Sequence, residues 1–197
     1  MKTTGKTGLW LLDRRNYANE SLAQLRRRLL EDLLGTGVAD SLCYGPQGKP
    51  FLAQGPEFSL SHSGDYLLLA IAPQPVGVDI ERHRQLEYRA LAGRCFHPQE
   101  QALLQQAAAK EQVLFFDIWT CRESCLKATG LGLTLPPQAF RTSFTAEDRA
   151  VLQPADAAFP ADFADYLLYR YPLLPGYSIA LCLAPGTPNP PLQEVRW

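Results

Sequence analysis

The sequence predicts an α+β fold whose two halves meet near residues 73–78. One observation is that short apolar runs bounded by glycine, proline and polar clusters alternate with longer segments of helical periodicity, so strands and helices are both expected. The other is their order along the chain: strand, helix and strands, then strand, helices and strands, which is typical of two α+β halves. The halves show no convincing internal sequence repeat.

The first half contains one predicted helix, over residues 21–34. Ser21 has the side chain of an N-cap, Gly35 follows as a C-cap, and leucines recur on one face between them. One strand is predicted before this helix in the chain and two after it. A loop precedes the two later strands, and a polar break separates them. In chain order these are a strand at 7–12, the loop at 45–50, a short strand at 57–60, the break at 61–65 and a buried strand at 66–72.

The second half begins after a tight turn at residues 73–75. The next strand, 76–81, follows the buried strand so closely that residues 66–81 are predicted to form a hairpin. Three helices and then three strands come after it: helices at 86–95, 98–109 and 111–129, and strands at 140–144, 162–171 and 177–183. Residues 185–191 are rich in proline, which predicts a tail outside any core sheet.

Composition excludes several classes of protein. A net charge of −1 over 197 residues argues against a general nucleic-acid-binding protein. The apolar runs are too short for a membrane span or the core of a signal peptide, so the cytoplasm is the expected location. The five cysteines are odd in number and scattered, which fits reduced thiols better than a disulfide framework.

Residues 118–132 carry an acid and a base on one face of the third predicted helix of this half. At about 100° per residue, Glu123 and Lys127 fall within one arc, whereas Cys121 and Cys125 belong to an apolar stripe on another face. Gly130 is a plausible C-cap, which places Lys127 in the last turn, where the helix dipole favours a cation. Alone, the pair is also compatible with an ordinary surface ion pair.

A second acidic element lies in the strand at 76–81. Side chains alternate along a strand, so Asp79 and Glu81 share one face, and the pair is either a solvated acidic surface or a site that needs a cation. Gly77 before them either relieves crowding or lets another backbone or a ligand approach closely. If Glu123 reaches this face, three carboxylates meet in a site suited to Mg²⁺, and Lys127 would contact a phosphate oxygen. Such a site suits phosphoryl-type transfer.

Five segments, spread in order over residues 45–135, resemble the surfactin-synthetase-activating type of 4′-phosphopantetheinyl transferase. They are Gly48-Lys49-Pro50, Phe58-Ser59-Leu60-Ser61-His62-Ser63, Val76-Gly77-Val78-Asp79-Ile80-Glu81, Phe96-His97-Pro98-Gln99-Glu100, and Trp119-Thr120-Cys121-Arg122-Glu123-Ser124-Cys125-Leu126-Lys127 followed by Gly130-Leu131-Gly132-Leu133. The resemblance implies two similar α/β lobes in one monomeric chain, related by a pseudo-two-fold axis. The expected divisions are residues 1–75 for the nucleotide end of coenzyme A, 76–184 for the metal and catalytic residues, and 185–197 for the tail.

The resemblance also implies an activity: transfer of the 4′-phosphopantetheine group of coenzyme A to a serine of an apo acyl or peptidyl carrier protein, with release of adenosine 3′,5′-bisphosphate. Such carriers serve fatty acid, polyketide or nonribosomal peptide biosynthesis. Neither a nucleic acid nor a membrane is an expected partner.

Each implied role falls on a residue of the matching segments. Asp79, Glu81 and Glu123 would hold Mg²⁺, and the catalytic residues would be Glu123, Lys127 and Asp79. Glu123, directly or through a metal-bound water, would be the base for the serine. Contacts to coenzyme A would come from Lys49, Pro50, Ser61, His62 and Lys127. Without the resemblance, Ser61-His62-Ser63 is equally compatible with a turn whose hydroxyls bond the local backbone.

Two departures from the family pattern are visible. Arg122 stands where lysine is usual, and it is expected to face solvent or the partner. The basic stretch that helps to bind the 3′-phosphate has no clear counterpart, and Arg28 is the expected substitute, with Arg15 and Arg26 behind it.

The resemblance implies carriers that present an acidic helix, so docking is expected on a basic or apolar patch near residues 82–98. This arginine-bearing surface includes Arg82, Arg84, Arg89 and Arg94. Two alternatives to an enzyme stay open. One is a coenzyme A- or carrier-binding module without transfer activity, and the other is a protein in which both acidic elements are ordinary surface features.

Overall fold

The protein is described here by a computed structural model, which covers residues 7–145 and 149–197. It has the α+β class that the sequence predicts. The strands are β1 (Gly8–Asp13), β2 (Leu42–Tyr44), β3 (Pro50–Leu52), β4 (Glu57–Ser63), β5 (Tyr66–Ala72), β6 (Val76–Arg82), β7 (Phe140–Phe144), β8 (Arg149–Pro154), β9 (Leu167–Arg170), β10 (Tyr177–Leu183) and β11 (Leu192–Val195). The helices are α1 (Leu22–Leu34), α2 (Tyr88–Cys95), α3 (Pro98–Gln106) and α4 (Glu111–Thr129).

The N-terminal lobe is a four-stranded sheet, in the order β11-β1-β5-β4, with α1 packed on it. The predicted caps of α1 are confirmed: Ser21 and Gln24 form a reciprocal capping box, and the Gly35 amide bonds the carbonyl of Glu31. Leu25 and Leu29 of the helix are buried against the sheet, as the periodicity predicts, and Leu22 and Leu33 of the same face are partly buried. Leu30 is buried as well.

The C-terminal lobe is a five-stranded sheet, in the order β6-β10-β9-β8-β7, with α4 packed on one face. The two lobes share a connectivity, which agrees with the expectation of similar lobes. In each lobe the first strand pairs antiparallel with a later strand, which in turn pairs antiparallel with the strand just before it: β1-β5-β4 in one lobe and β6-β10-β9 in the other. A helix that packs on the sheet, α1 or α4, follows the first strand in both cases.

The lobes meet through the apolar faces of their sheets. Leu9, Leu11 and Leu68 of the N-terminal sheet share one buried cluster with Val78 and Ile80 of β6. Because side chains alternate along β6, this packing turns Asp79 and Glu81 to the other face, as predicted.

Several sequence predictions differ from the structure. The predicted hairpin at 66–81 is wrong, since β5 and β6 belong to different sheets and the turn between them carries the chain from one lobe to the other. The predicted break at 61–65 is shorter, because β4 continues to Ser63. Residues 185–191 form no strand, but the last part of the predicted tail does: β11 pairs parallel with β1. The strands β2, β3 and β8 were not predicted, and the strand expected at 162–171 is confined to β9.

No helix within the described residues is long and apolar enough to cross a membrane. The five cysteines are all free thiols. Cys121 and Cys125 are fully buried on the face of α4 that packs against the C-terminal sheet, which confirms their predicted role in packing.

Candidate active site

The close approach of α4 to β6 depends on Gly77. A Cβ atom added at Gly77 would lie 1.9 Å from the carbonyl oxygen of Ser124 and 2.4 Å from the amide nitrogen of Ala128. Of the two roles open for this glycine, the structure therefore supports approach by another backbone, that of the helix. This contact brings the Glu123–Lys127 face of α4 against the acidic face of β6.

Lys127 bridges the two elements. Its Nζ donates to Asp79 Oδ1 at 2.7 Å and to the carbonyl oxygen of Val78 at 3.1 Å. Lys127 therefore contacts the strand, and a simple surface pair with Glu123 does not describe it. The same Asp79 oxygen accepts the Ser61 hydroxyl at 2.7 Å. Asp79 is buried, and desolvation raises its pKa although the Lys127 ammonium opposes the shift.

Glu123 and Glu81 complete an acidic group around Asp79. Burial, and then the negative charge of Asp79, raises the pKa of Glu123, with a smaller contribution from Glu81. Glu81 accepts hydrogen bonds from Ser63 Oγ and Arg84, each at 3.0 Å. All three predicted metal ligands thus face one region, where their charges oppose one another.

The fit of this group to a divalent cation can be judged from its atoms. In residues 7–145 and 149–197, no three Asp, Glu, His or Cys side chains converge closely enough to hold a metal ion as they stand. Lys127 contacts one oxygen of Asp79 instead, whereas Asp79 Oδ2 is buried and has no hydrogen-bond partner among the described residues. A buried carboxylate oxygen without a donor, beside two further carboxylates, has the chemistry that a hard cation requires. The predicted ligands therefore fit Mg²⁺ in kind.

A cavity of about 290 Å³ lies beside this group. Lys49 and Pro50 from the predicted nucleotide loop line it, and so do Glu123 and Lys127 from α4. Burial lowers the pKa of Lys49, whose Nζ donates only weakly, to the Val76 carbonyl at 3.4 Å. A desolvated lysine of this kind would be stabilised by an anion. A second, mostly apolar cavity of about 210 Å³ lies next to it, and Glu123 and Leu126 line both.

Positive charge collects around His62. Arg26 contacts His62 Nδ1 at 3.0 Å, and Arg14 donates to the Gly64 carbonyl at 3.1 Å. The Nε atoms of both arginines are buried, and neither has a hydrogen-bond partner within the part of the chain that the structure describes. Desolvation, followed by the charges of Arg26, Arg14 and Lys127, lowers the pKa of His62. This cluster suits a phosphate group.

The arginines of this cluster differ from the sequence expectation. Arg28 lies on another face of α1, where it pairs with Glu20 at 3.0 Å and stacks 4.1 Å over the ring of Trp197. Arg15 pairs with Asp13 at 2.6 Å. Arg14 was missed, because it precedes α1 and reaches His62 only through the fold. The α1 register could have favoured Arg26, because Arg26 lies beside the leucine face that packs on the sheet. Arg28 is about 200° away from Arg26 around the helix.

Arg122 corrects a sequence prediction, because it faces neither solvent nor a partner. Its side chain is 6% exposed and forms an ion pair with Glu100 at 2.8 Å. It also donates to the carbonyl oxygens of Phe140, at 3.0 Å, and Pro137. Glu100 in turn accepts the amide of Thr142 at 2.7 Å. This network ties α4 to α3 and β7 on the side away from Asp79.

Comparison with known proteins gives three kinds of match. A family model described as the 4′-phosphopantetheinyl transferase superfamily matches residues 75–182. The chain is similar to the 4′-phosphopantetheinyl transferase psf-1 of Bacillus pumilus, at 35% identity over 68% of this chain and 57% of the relative. It is also similar to the 4′-phosphopantetheinyl transferase Sfp of Bacillus subtilis, at 31% identity over 70% of this chain and 60% of the relative. The chain therefore spans less than two thirds of the length of these curated relatives. Among solved structures, the holo-[acyl-carrier-protein] synthase of Thermotoga maritima aligns with a TM-score of 0.46 and 16% identity, over 55% of this chain and 61% of that one.

Proposed function

Because the chain belongs to the 4′-phosphopantetheinyl transferase superfamily, we propose that it transfers the 4′-phosphopantetheine group of coenzyme A to a serine hydroxyl of an apo carrier protein. The observation that carries this proposal is the convergence of Lys127, Asp79 and Glu123 beside a cavity that Lys49 also lines. The two lysines there would bind phosphate, and the carboxylates would bind a metal ion and accept a proton.

The proposed reaction breaks a phosphoanhydride bond of coenzyme A and forms a phosphodiester at the carrier serine. A bond forms between the serine Oγ and the β-phosphorus of coenzyme A, and the bond from that phosphorus to the bridging oxygen breaks, which releases adenosine 3′,5′-bisphosphate. Glu123 is proposed to accept the serine proton, since its raised pKa makes it a stronger base than an ordinary carboxylate. Lys127 would exchange its contact with Asp79 for a phosphate oxygen.

Mg²⁺ is the proposed cofactor, held by Asp79, Glu81 and Glu123, and when bound it would neutralise charge on the pyrophosphate. The unpartnered Asp79 Oδ2 supports this assignment. Departure of Lys127 toward the phosphate would leave Ser61 as the remaining side-chain donor to the other oxygen, Asp79 Oδ1.

Coenzyme A is proposed to lie with its nucleotide end between the 45–50 loop and α1. Lys49 and Pro50 would contact the adenosine end, and His62 with Arg26 and Arg14 would hold the 3′-phosphate, a role for which Arg28 was the sequence expectation. The apolar cavity on the other side of Glu123 suits the uncharged pantetheine chain.

An acyl or peptidyl carrier protein is the proposed partner, docked on the arginine-bearing surface at 82–98. All four arginines are exposed there, and two of them form ion pairs, Arg84 with Glu81 and Arg89 with Glu111. Replacing Arg82 and Arg94 by glutamate should slow modification of the carrier and leave coenzyme A affinity unchanged. A loss of coenzyme A affinity would contradict this docking surface.

The decisive experiment is a transfer assay. Purified protein is incubated with coenzyme A, Mg²⁺ and a panel of apo carrier proteins, and mass spectrometry looks for a phosphopantetheine adduct on the carrier serine. A carrier whose serine is replaced by alanine is the control. If the protein binds coenzyme A but modifies no carrier in a broad panel, the alternative of a binding module replaces the enzyme.

We further propose a cytoplasmic monomer. The five free thiols support a reducing compartment, and the apolar contact between both lobes in one chain supports a self-sufficient unit. Size-exclusion chromatography with light scattering tests the monomer.

A further inference from the structure

The two lobes are joined by serine side chains along β4 and β6. These strands are edge strands of different sheets. The serine hydroxyls of β4 accept hydrogen bonds from the backbone amides of β6. Val78 N donates to Ser59 Oγ at 3.1 Å, Ile80 N to Ser61 Oγ at 3.4 Å, and Arg82 N to Ser63 Oγ at 3.0 Å. Both strands advance by two residues from one bond to the next, so the strands run parallel in a fixed register. We call these three residues the serine ladder.

Two hydroxyls of the serine ladder also donate to carboxylates. Ser61 Oγ donates to Asp79 Oδ1 at 2.7 Å, and Ser63 Oγ donates to Glu81 Oε2 at 3.0 Å. A hydroxyl has one proton, so each of these serines is committed to its carboxylate. Ser59 is opposite Gly77 and Val78, where β6 offers no carboxylate, although it accepts an amide just as the others do.

The commitment of Ser61 changes its expected role. Ser61 is buried, and its hydroxyl already donates to Asp79. The hydroxyl is therefore not available to donate to a phosphate. What it does instead is fix the orientation of Asp79. With Ser61 and Lys127 both on Oδ1, it is Oδ2 that stays without a partner.

We infer that Ser61 and Ser63 are positioning residues, through which the N-terminal lobe orients Asp79 and Glu81 of the C-terminal lobe for a divalent cation. The inference rests on the proposed function for the identity of the cation. It separates Ser61 from the coenzyme A contacts that the family resemblance implies, because here Ser61 acts through a carboxylate. Hydrogen-bonding partners of metal ligands typically contribute about 10- to 100-fold to metal affinity.

The test compares Ser61→Ala with Ser59→Ala. Each change removes one hydrogen bond that a backbone amide of β6 donates to the serine ladder. Only Ser61→Ala also removes a hydrogen bond to a carboxylate. Mn²⁺ affinity is measured by electron paramagnetic resonance on the coenzyme A complex, and coenzyme A affinity is measured by calorimetry in the presence of EDTA. Ser61→Ala should weaken Mn²⁺ binding about 10-fold or more and leave metal-free coenzyme A binding unchanged. Ser59→Ala should leave Mn²⁺ affinity unchanged, and Ser61→Thr, which keeps the hydroxyl, should restore it.

Several outcomes overturn the inference. An Ser61→Ala protein with weakened coenzyme A binding in EDTA and unchanged Mn²⁺ affinity would make Ser61 a phosphate ligand. Equal losses of Mn²⁺ affinity in Ser59→Ala and Ser61→Ala would show that the serine ladder only holds the two lobes together. A wild-type protein that binds no Mn²⁺ would also refute the inference. Should Ser61→Ala not fold, Ser63→Ala provides the same comparison through Glu81. Failure of the transfer assay is a separate result, since a wild type that binds Mn²⁺ but modifies no carrier refutes the proposed activity while the serine comparison still stands.

Discussion

Glu123 is held where its own negative charge is unfavourable. Burial and the neighbouring Asp79 raise its pKa, so the folded protein binds this proton more tightly than the unfolded chain does. Stability from such a group is fully present below the ordinary value of 4.5 and is lost as pH rises through the folded pKa. The ionised carboxylate that the proposed reaction needs is therefore a cost to folding.

The first prediction follows from this cost. Glu123→Gln should raise the melting temperature at alkaline pH, because it removes the buried charge, and the difference from wild type should vanish below the ordinary carboxyl pKa. Transfer activity should fall steeply in the same variant, since no base remains. Thermal unfolding over a pH series measures the first effect. Glu87→Gln, at an exposed position, is the control, and a destabilised Glu123→Gln protein at alkaline pH would contradict the argument.

The 3′-phosphate contact is predicted to belong to Arg26. Arg26→Ala should raise the KM for coenzyme A about 10-fold or more with little change in kcat, because a charge-assisted hydrogen bond to phosphate contributes about 1.5–3 kcal/mol. Arg28→Ala is the matched control on the same helix, and its KM should stay unchanged. With 3′-dephospho-coenzyme A as substrate, the difference between Arg26→Ala and wild type should disappear. The opposite ranking of the two arginines would return the role to Arg28.

At single residues, sequence reasoning succeeds where the backbone period decides the result. Alternation in β6 is enough to place Asp79 and Glu81 on one face, and the helical period is enough to bury Cys121 and Cys125. It fails for Arg122, because the ion pair with Glu100 that buries this charge comes from a different helix. The neighbours of Arg122 in sequence, Cys121 and Glu123, give no local sign of such a partner.

Among the elements, the pair formed by α4 and β6 sets the geometry of the site. Gly77→Ala is predicted to destabilise the protein by about 1–3 kcal/mol or more, because the new Cβ would overlap backbone atoms of α4 that have no rotamer to change. Since the helix carries Glu123 and Lys127, its displacement should also lower kcat, by about 100-fold for a shift near 1 Å.

Gly93→Ala is the control for this change. Gly93 lies in α2 with open space around its Cα, so alanine there should stabilise the protein by about 0.5–1 kcal/mol and leave kcat unchanged. Denaturant unfolding and transfer rates of the two variants measure both effects. If Gly77→Ala retained wild-type stability, the close approach of α4 to β6 would not be rigid.

Elements whose boundaries depend on local chemistry were predictable, and those that depend on a distant partner were not. The ends of α1 and α4 follow from Ser21, Gly35 and Gly130, all of which act within one turn. The turn at residues 73–75 indicates only that the chain reverses. That β6 pairs with β10 and not with β5 is decided by strands about a hundred residues apart in sequence. The hydroxyls of the serine ladder suggested a break for the same reason, since their partners lie on another strand.

At the scale of the whole molecule, the proposed site belongs to neither lobe alone. Arg26, His62 and Lys49 come from the first part of the chain, whereas Asp79, Glu123 and Lys127 come from the second. Two contacts fix the lobes in one register: the apolar cluster that contains Leu68 and Val78, and the serine ladder. Geometry within the site therefore depends on the contact between the lobes.

The last prediction concerns the cooperativity of this arrangement. Separating the lobes would expose the apolar faces of both sheets and leave the serine ladder without partners, so neither lobe should be stable once the other has unfolded. Hydrogen exchange should give the slowest amides of β5 and of β10 the same free energy of opening. Coenzyme A at about 100 times its Kd should raise both values by about 2.7 kcal/mol, because a ligand that spans the lobes binds only when both are folded. Two separate unfolding transitions, or protection by coenzyme A confined to one sheet, would show that the lobes fold independently and that the proposed site does not extend across them.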